Sequence, residues 1–123
     1  MKGTRFLLFA TLIAGGTCHS ALAQTASQAK GKVVFNKWCA PCHGAEAPSR
    51  GGLAGALPGT AALAVKYQGK LPAVLEQRTD LTPALIKTVV RKGLYGMPIT
   101  RKTEVSDAEL EDLVVYLTRN KKK

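Results

Sequence analysis

Cys39-Ala40-Pro41-Cys42-His43 is the segment whose residue types and spacing can do chemistry. Two thiols three positions apart, followed at once by an imidazole, admit three readings. They can attach a haem, each thiol adding to one vinyl group of the porphyrin while the His43 imidazole sits under the iron. They can cycle as a disulfide, because Trp38-Cys39-Ala40-Pro41-Cys42 also looks like a thioredoxin-type redox site and Val33-Val34-Phe35 passes for the strand before it. They can supply part of a zinc site.

A thioredoxin fold needs further strands downstream, but Met97-Pro98 is followed by Ile99-Thr100-Arg101-Lys102-Thr103, too polar for a buried strand. A structural zinc site wants four Cys or His ligands. Beyond residue 23 only Cys39, Cys42 and His43 are left to provide them, so the fourth ligand would have to be a carboxylate. A haem iron held by His43 has a sixth position to fill, and residues 24–123 contain no second histidine and one methionine, Met97. A lone methionine ordinarily fills a core. This one lies in Gly93-Leu94-Tyr95-Gly96-Met97-Pro98, where Gly96 permits close backbone approach and Pro98 stiffens the loop. A neutral thioether favours ferrous over ferric iron and raises the reduction potential. A six-coordinate iron with no open position points to electron transfer rather than to an enzyme.

The segment at the start of the chain decides where these residues operate. Lys2 and Arg5, the apolar run from Phe6 to Ala14, and Ala21-Leu22-Ala23 have the order of an export signal, charged start, short apolar stretch and small-x-small cleavage site. Residues 1–23 are therefore expected to be a signal peptide and 24–123 one domain, placed in the periplasm. The apolar run is too short for a permanent span, and no other segment looks transmembrane. Cys18 raises lipid attachment, but Gly15-Gly16-Thr17 before it lacks the leucine and small-residue pattern such sites favour. A domain of this length is near the size at which a small core benefits from a cofactor.

The chain has 18 basic and 8 acidic residues, a net charge of +10, and remains strongly basic without Lys2 and Arg5. In an exported protein that balance suits an acidic docking face on another protein rather than nucleic acid. Lys121-Lys122-Lys123 reads as a solvated helix end.

The elements that must position the site follow from periodicity and caps. Ser27 to Trp38, with Ala29, Val33, Val34 and Phe35, fits a helix or a strand. Gly44 to Gly59 is rich in Gly, Ala and Pro and reads as a loop. Thr60 is expected to cap a short helix through Tyr67 that stops at Gly69, and Leu71-Pro72 to open another turn as far as Gln77. Thr82 as N-cap, Pro83 at the first helical position, apolar Leu85, Ile86, Val89 and Val90, and Gly93 as the stop predict a further helix. Ser106 and Glu109 form a capping box ahead of Leu110, Leu113, Val114, Tyr116 and Leu117, with Asp107 in the positive first turn. No alternating pattern is sustained after residue 35, so an all-α domain is expected.

Taken together, the Cys39-to-His43 motif and the later Met97-Pro98 resemble the class I cytochrome c family over essentially all of 24–123. The resemblance implies one haem c bound covalently through Cys39 and Cys42, with His43 and Met97 as axial ligands. It also implies first and last helices crossing through Gly31 and Phe35 on one and Leu113 and Tyr116 on the other, which favours helix for the first segment. The family has a proline whose carbonyl accepts a hydrogen bond from the axial imidazole; Pro58 is the preferred match and Pro48 the alternative.

More narrowly, Pro58-Gly59-Thr60, Tyr67, Leu75 to Pro83 and Arg101-Lys102-Thr103-Glu104 resemble small cytochromes that partner periplasmic flavoprotein dehydrogenases and hydroxylases. That implies a carrier taking electrons singly from a reduced flavin and passing them to the respiratory chain. A general carrier to a terminal oxidase is the alternative. In this fold the haem edge emerges between the attachment motif and the Met97 loop. Ala40, Pro41, Tyr95, Gly96 and Ile99 are then the expected contact surface, Lys37, Lys92, Arg101 and Lys102 a positive rim, and Trp38 a packing residue against haem or core.

Overall fold

The chain alternates helices with extended connections, and its computed structural model describes residues 18–45 and 57–121. Helix α1 runs Cys18–Trp38. It resolves the ambiguity at Val33-Val34-Phe35: Gly31, Val34 and Phe35 are buried while Val33 is exposed, the i, i+3, i+4 stripe of a helix rather than strand alternation. The helix extends upstream of the expected start at Ser27, through a segment in which alanine, the best helix former, recurs at Ala21, Ala23 and Ala26.

Helix α2 is the single turn Ala40–His43, and α3 spans Pro58–Tyr67. The start of α3 differs from expectation. Pro58 occupies its first position, where the missing N–H is not needed, so Thr60 lies inside the helix and caps nothing. The turn expected to open at Leu71-Pro72 shrinks to a 3₁₀ turn at Leu75–Gln77, because Val74 is still extended. Helix α4, Pro83–Lys92, forms as predicted: the Thr82 hydroxyl accepts from the Leu85 amide at 3.2 Å, and Gly93 stops the helix at φ +69. So does α5, Asp107–Leu117, with both halves of its capping box present. The Ser106 N–H donates to Glu109 at 2.8 Å and holds that carboxyl below its usual range.

The core is built where α1 crosses α5. A side chain at position 31 would meet the Asp112 carbonyl and come within 2.7 Å of Tyr116 Cβ, so only glycine allows the two backbones this close. Phe35 and Tyr116 then pack with ring centroids 5.7 Å apart, tilted by 49°. Leu113, 1% exposed, lies among Val34, Phe35, Leu81, Ile86, Val90, Val105, Leu110, Val114 and Leu117. The four crossing residues expected from the family resemblance all lie in this contact.

Polar ties fix the remaining elements to α5. Lys87 pairs with Glu111 at 2.5 Å and Arg91 with Asp107 at 2.9 Å, joining α4 to α5. The buried Tyr116 hydroxyl donates to the Glu76 carboxylate and the Asn120 amide to the Glu76 carbonyl at 2.7 Å, joining the 3₁₀ turn to the end of α5. Burial, with the Glu76 carboxylate beside it, pushes the Tyr116 phenol up to about 12. Among the described residues there is no sheet, only the isolated bridge between Leu94 and Met97, and no helix is long and apolar enough to cross a membrane.

Candidate haem-binding site

The thiols and the imidazole are brought together by the junction of α1 and α2. The Cys39 N–H donates to the Phe35 carbonyl at 2.8 Å, so this residue is held by the helix that carries the core. Its own carbonyl accepts from the Cys42 and His43 amides at 3.1 and 2.8 Å. Pro41 falls in this first turn, where its lack of an N–H costs nothing. One helical turn therefore sets Cys39, Cys42 and His43 at i, i+3 and i+4, on one face. Both cysteines are free thiols, but their surroundings differ. Cys39 packs against the core, and burial together with the neighbouring Cys42 pushes its thiol up to about 11, whereas Cys42 is exposed.

Burial lowers the pKa of the His43 imidazole and so favours its neutral form, the one that offers a lone pair to a metal. Its Nδ1 is buried with no hydrogen-bond partner, and Gly59 lies against it: a Cβ there would come within 2.7 Å of Nδ1. The segment around Pro58 thus stands beside the imidazole as expected, yet the Pro58 carbonyl does not accept from it. As the first residue of α3, Pro58 directs that carbonyl along the helix axis, into the intrahelical ladder. Pro48 lies outside the described residues. A second tie holds the neighbourhood in place, because the Thr60 hydroxyl donates to the buried Gly44 carbonyl at 2.8 Å.

Met97 is presented by a different device. Beyond Gly93 the chain makes a two-residue turn, with the Leu94 N–H donating to the Met97 carbonyl at 3.2 Å and the Met97 N–H to the Leu94 carbonyl at 3.0 Å. The close approach expected at Gly96 occurs instead at Gly93, where a Cβ would lie 2.6 Å from the Met97 carbonyl; at Gly96 a Cβ would meet nothing within 4 Å. Past the turn, the Thr100 N–H donates to the Val90 carbonyl at 2.8 Å and Arg91 donates to the Thr100 carbonyl at 3.1 Å. Met97 is thereby held by main chain on both sides. Helix α3 links the two halves: its first turn lies against His43, and near its end the Lys66 ammonium sits 6.0 Å from the Tyr95 ring in the Met97 turn. From Gly59 to Lys66 is ~10 Å along a helix.

These residues fit a haem c. Two thiols share a face with a neutral imidazole whose Nδ1 is buried, and a soft thioether sits in a rigid turn. Zinc and thioredoxin chemistry lack their supporting parts among the described residues, where no group of three or more His, Cys, Asp and Glu side chains is able to hold a metal and no strand forms.

Other placements depart from the sequence-based expectations. Of the two packing partners expected for Trp38, haem or core, the protein core is not one it meets: it is 41% exposed with the Lys37 ammonium 5.0 Å from its ring. Lys102 is bound to Asp107 at 2.6 Å and is not a free member of a positive rim. Arg78 carries no sequence-based role, yet it is 2% exposed, donates to both Asp80 oxygens at 2.6 and 2.5 Å and lies 4.4 Å from the Tyr67 ring. Its guanidinium holds the Asp80 carboxyl and the Tyr67 phenol below their usual ranges. The Arg-x-Asp spacing was the only available signal.

In a comparison with protein families, residues 26–117 match the family model described as cytochrome c oxidase, cbb3-type, subunit III. No curated protein and no solved structure matches the chain.

Proposed function

This chain belongs to that cytochrome family and is a c-type cytochrome domain for haem-based electron transfer, and from that premise we propose that it is a monohaem periplasmic carrier serving a flavoprotein dehydrogenase. When bound, haem supplies an iron that takes up and returns one electron. Cys39 and Cys42 would tether it, and His43 and Met97 would supply the nitrogen and sulfur that hold its iron. Burial favours the neutral imidazole, and the paired amide–carbonyl bonds of the Leu94–Met97 turn fix the main chain that carries the thioether. Residues 1–23 direct export and are removed; the family match begins just beyond that point, and a helix starting at Gln24 retains Gly31 and Phe35 at the crossing with α5.

The observation that carries this reading is the shared face of Cys39, Cys42 and His43, with the buried, unpartnered Nδ1 of His43 packed on Gly59. The strongly basic balance supports docking on a flavoprotein with an acidic face, from which this chain carries electrons onward to the respiratory chain. The test is the visible spectrum of the purified holoprotein and its Met97→Ala variant. Sharp haem bands that change reversibly on reduction, and a variant that binds carbon monoxide or azide at a lowered potential, are expected. A colourless protein made with its maturation machinery present overturns the reading; an unchanged spectrum and potential in Met97→Ala removes Met97 from it.

A further inference from the structure

Tyr95 stands two residues before Met97, in the turn that carries it, with its backbone left-handed at φ +52 and its side chain 94% exposed. That conformation strains a bulky residue, while the turn's glycine, which would bear no strain, comes one position later. Strain persists where the surroundings hold it, and here the ring meets the Lys66 ammonium, 6.0 Å from its centroid.

The same ammonium lies 5.4 Å from the ring of Tyr67, on its own helix α3. Tyr67 in turn has the Arg78 guanidinium 4.4 Å from its ring, and the buried Arg78 is fixed by both Asp80 oxygens at 2.6 and 2.5 Å. Asp80, Arg78, Tyr67, Lys66 and Tyr95 therefore form an unbroken series, from a buried ion pair to the tip of the Met97 turn. Lys66 is the step that crosses from α3 to the turn. Among the described residues it has no ion-pair partner, so no carboxylate draws it elsewhere.

The hydrogen bonds that hold the turn do not make this crossing. Those between Leu94 and Met97 close the turn on itself, and those from Thr100 to Val90 and from Arg91 to Thr100 tie it to the end of α4. His43, by contrast, rests on Gly59 in the first turn of α3. The two side chains that would hold one iron thus stand on different supports.

We propose that Lys66 is a positioning residue for Met97: its ammonium, shared between the Tyr67 and Tyr95 rings, ties the Met97 turn to α3, the helix packed on His43. A cation facing two aromatic rings is attracted by both, and Tyr67 is itself steadied by Arg78. The inference rests on the reading of Met97 as an iron ligand and adds what restrains it.

The test reads the tie in two ways on the holoprotein. In the ferrous state, amide hydrogen exchange of Leu94 and Met97, whose N–H groups close the turn, reports the restraint itself. In the ferric state, affinity for imidazole, a neutral ligand whose approach does not depend on the charge removed, reports how readily the thioether gives way. Lys66→Gln is expected to raise both about two- to fivefold, the factor an exposed cation–π contact is worth. Tyr95→Leu does the same, the double variant goes no further than either alone, and Lys66→Arg and Tyr95→Phe stay at wild-type values. Wild-type exchange or wild-type imidazole affinity in Lys66→Gln overturns the proposal, whatever its Tm, as do effects of Lys66→Gln and Tyr95→Leu that add. Met97→Ala separates the two failures. If it takes imidazole no more tightly than the wild type, Met97 is not the ligand and the reason for the tie falls with it; if it binds tightly beside an unchanged Lys66→Gln, the tie alone is wrong.

Discussion

The hydroxyl of Thr60 donates to the carbonyl of Gly44 at 2.8 Å in a buried setting, joining the residue after His43 to the first turn of α3. This bond and the Gly59–His43 contact lie on successive residues of one helix, so the orientation of the imidazole depends on α3.

Replacing Thr60 by Val keeps the shape and leaves the Gly44 carbonyl without its partner. Urea unfolding is expected to show a loss of about 1–2 kcal/mol. The visible spectrum of the holoprotein reports any accompanying tilt of His43.

At the α1–α5 crossing, Gly31→Ala drives a methyl group into the Asp112 carbonyl and Tyr116 Cβ. The helices must separate, and thermal unfolding is expected to reveal a destabilisation of roughly 3 kcal/mol, as overpacking of a close contact costs. A conservative change away from the crossing, such as Val33→Ala on the exposed face of α1, serves as the control and is nearly silent.

Much of this architecture was legible in local chemistry. Thr82-Pro83 and the Ser106–Glu109 box carry their own caps, and so α4 and α5 begin where the side chains say they must. The cysteine spacing needs only one helical turn to become a site. Thr60, Arg78 and Gly93 were less legible because each acts on a partner set by folding: Thr60 reaches Gly44 across 16 residues, Arg78 is defined by its burial, and Gly93 by the returning Met97 carbonyl. Pro58 shows the reverse case. It was recognised as belonging beside His43, but the helix that starts there claims its carbonyl.

Acid weakens the Arg78–Asp80 pair. Asp80 has a carboxyl pKa depressed below 3.8 in the folded protein, with the Arg78 hydrogen bond the leading cause. Its contribution is complete above the unfolded value and is lost as pH falls through the lower, folded one. Tm is therefore expected to decline from about pH 4 downward, with a shallower decline in Asp80→Asn. At neutral pH, Asp80→Ala leaves the buried guanidinium without its carboxylate and is expected to cost ~2 kcal/mol by chemical denaturation.

Gln68 offers a gain. It ends α3 in the left-handed region at φ 47, where a Cβ carries a penalty. Gln68→Gly is expected to stabilise the fold by roughly 0.5–1 kcal/mol, read as an upward shift in the urea midpoint at constant slope.

The most direct measurement of the central claim is the intact mass of the polypeptide, made with its maturation machinery present, after extraction with acidified acetone, combined with thiol alkylation. The account predicts a chain beginning at Gln24 that is heavier by one haem and has neither Cys39 nor Cys42 open to alkylation. A chain of bare polypeptide mass with both thiols alkylated would contradict it.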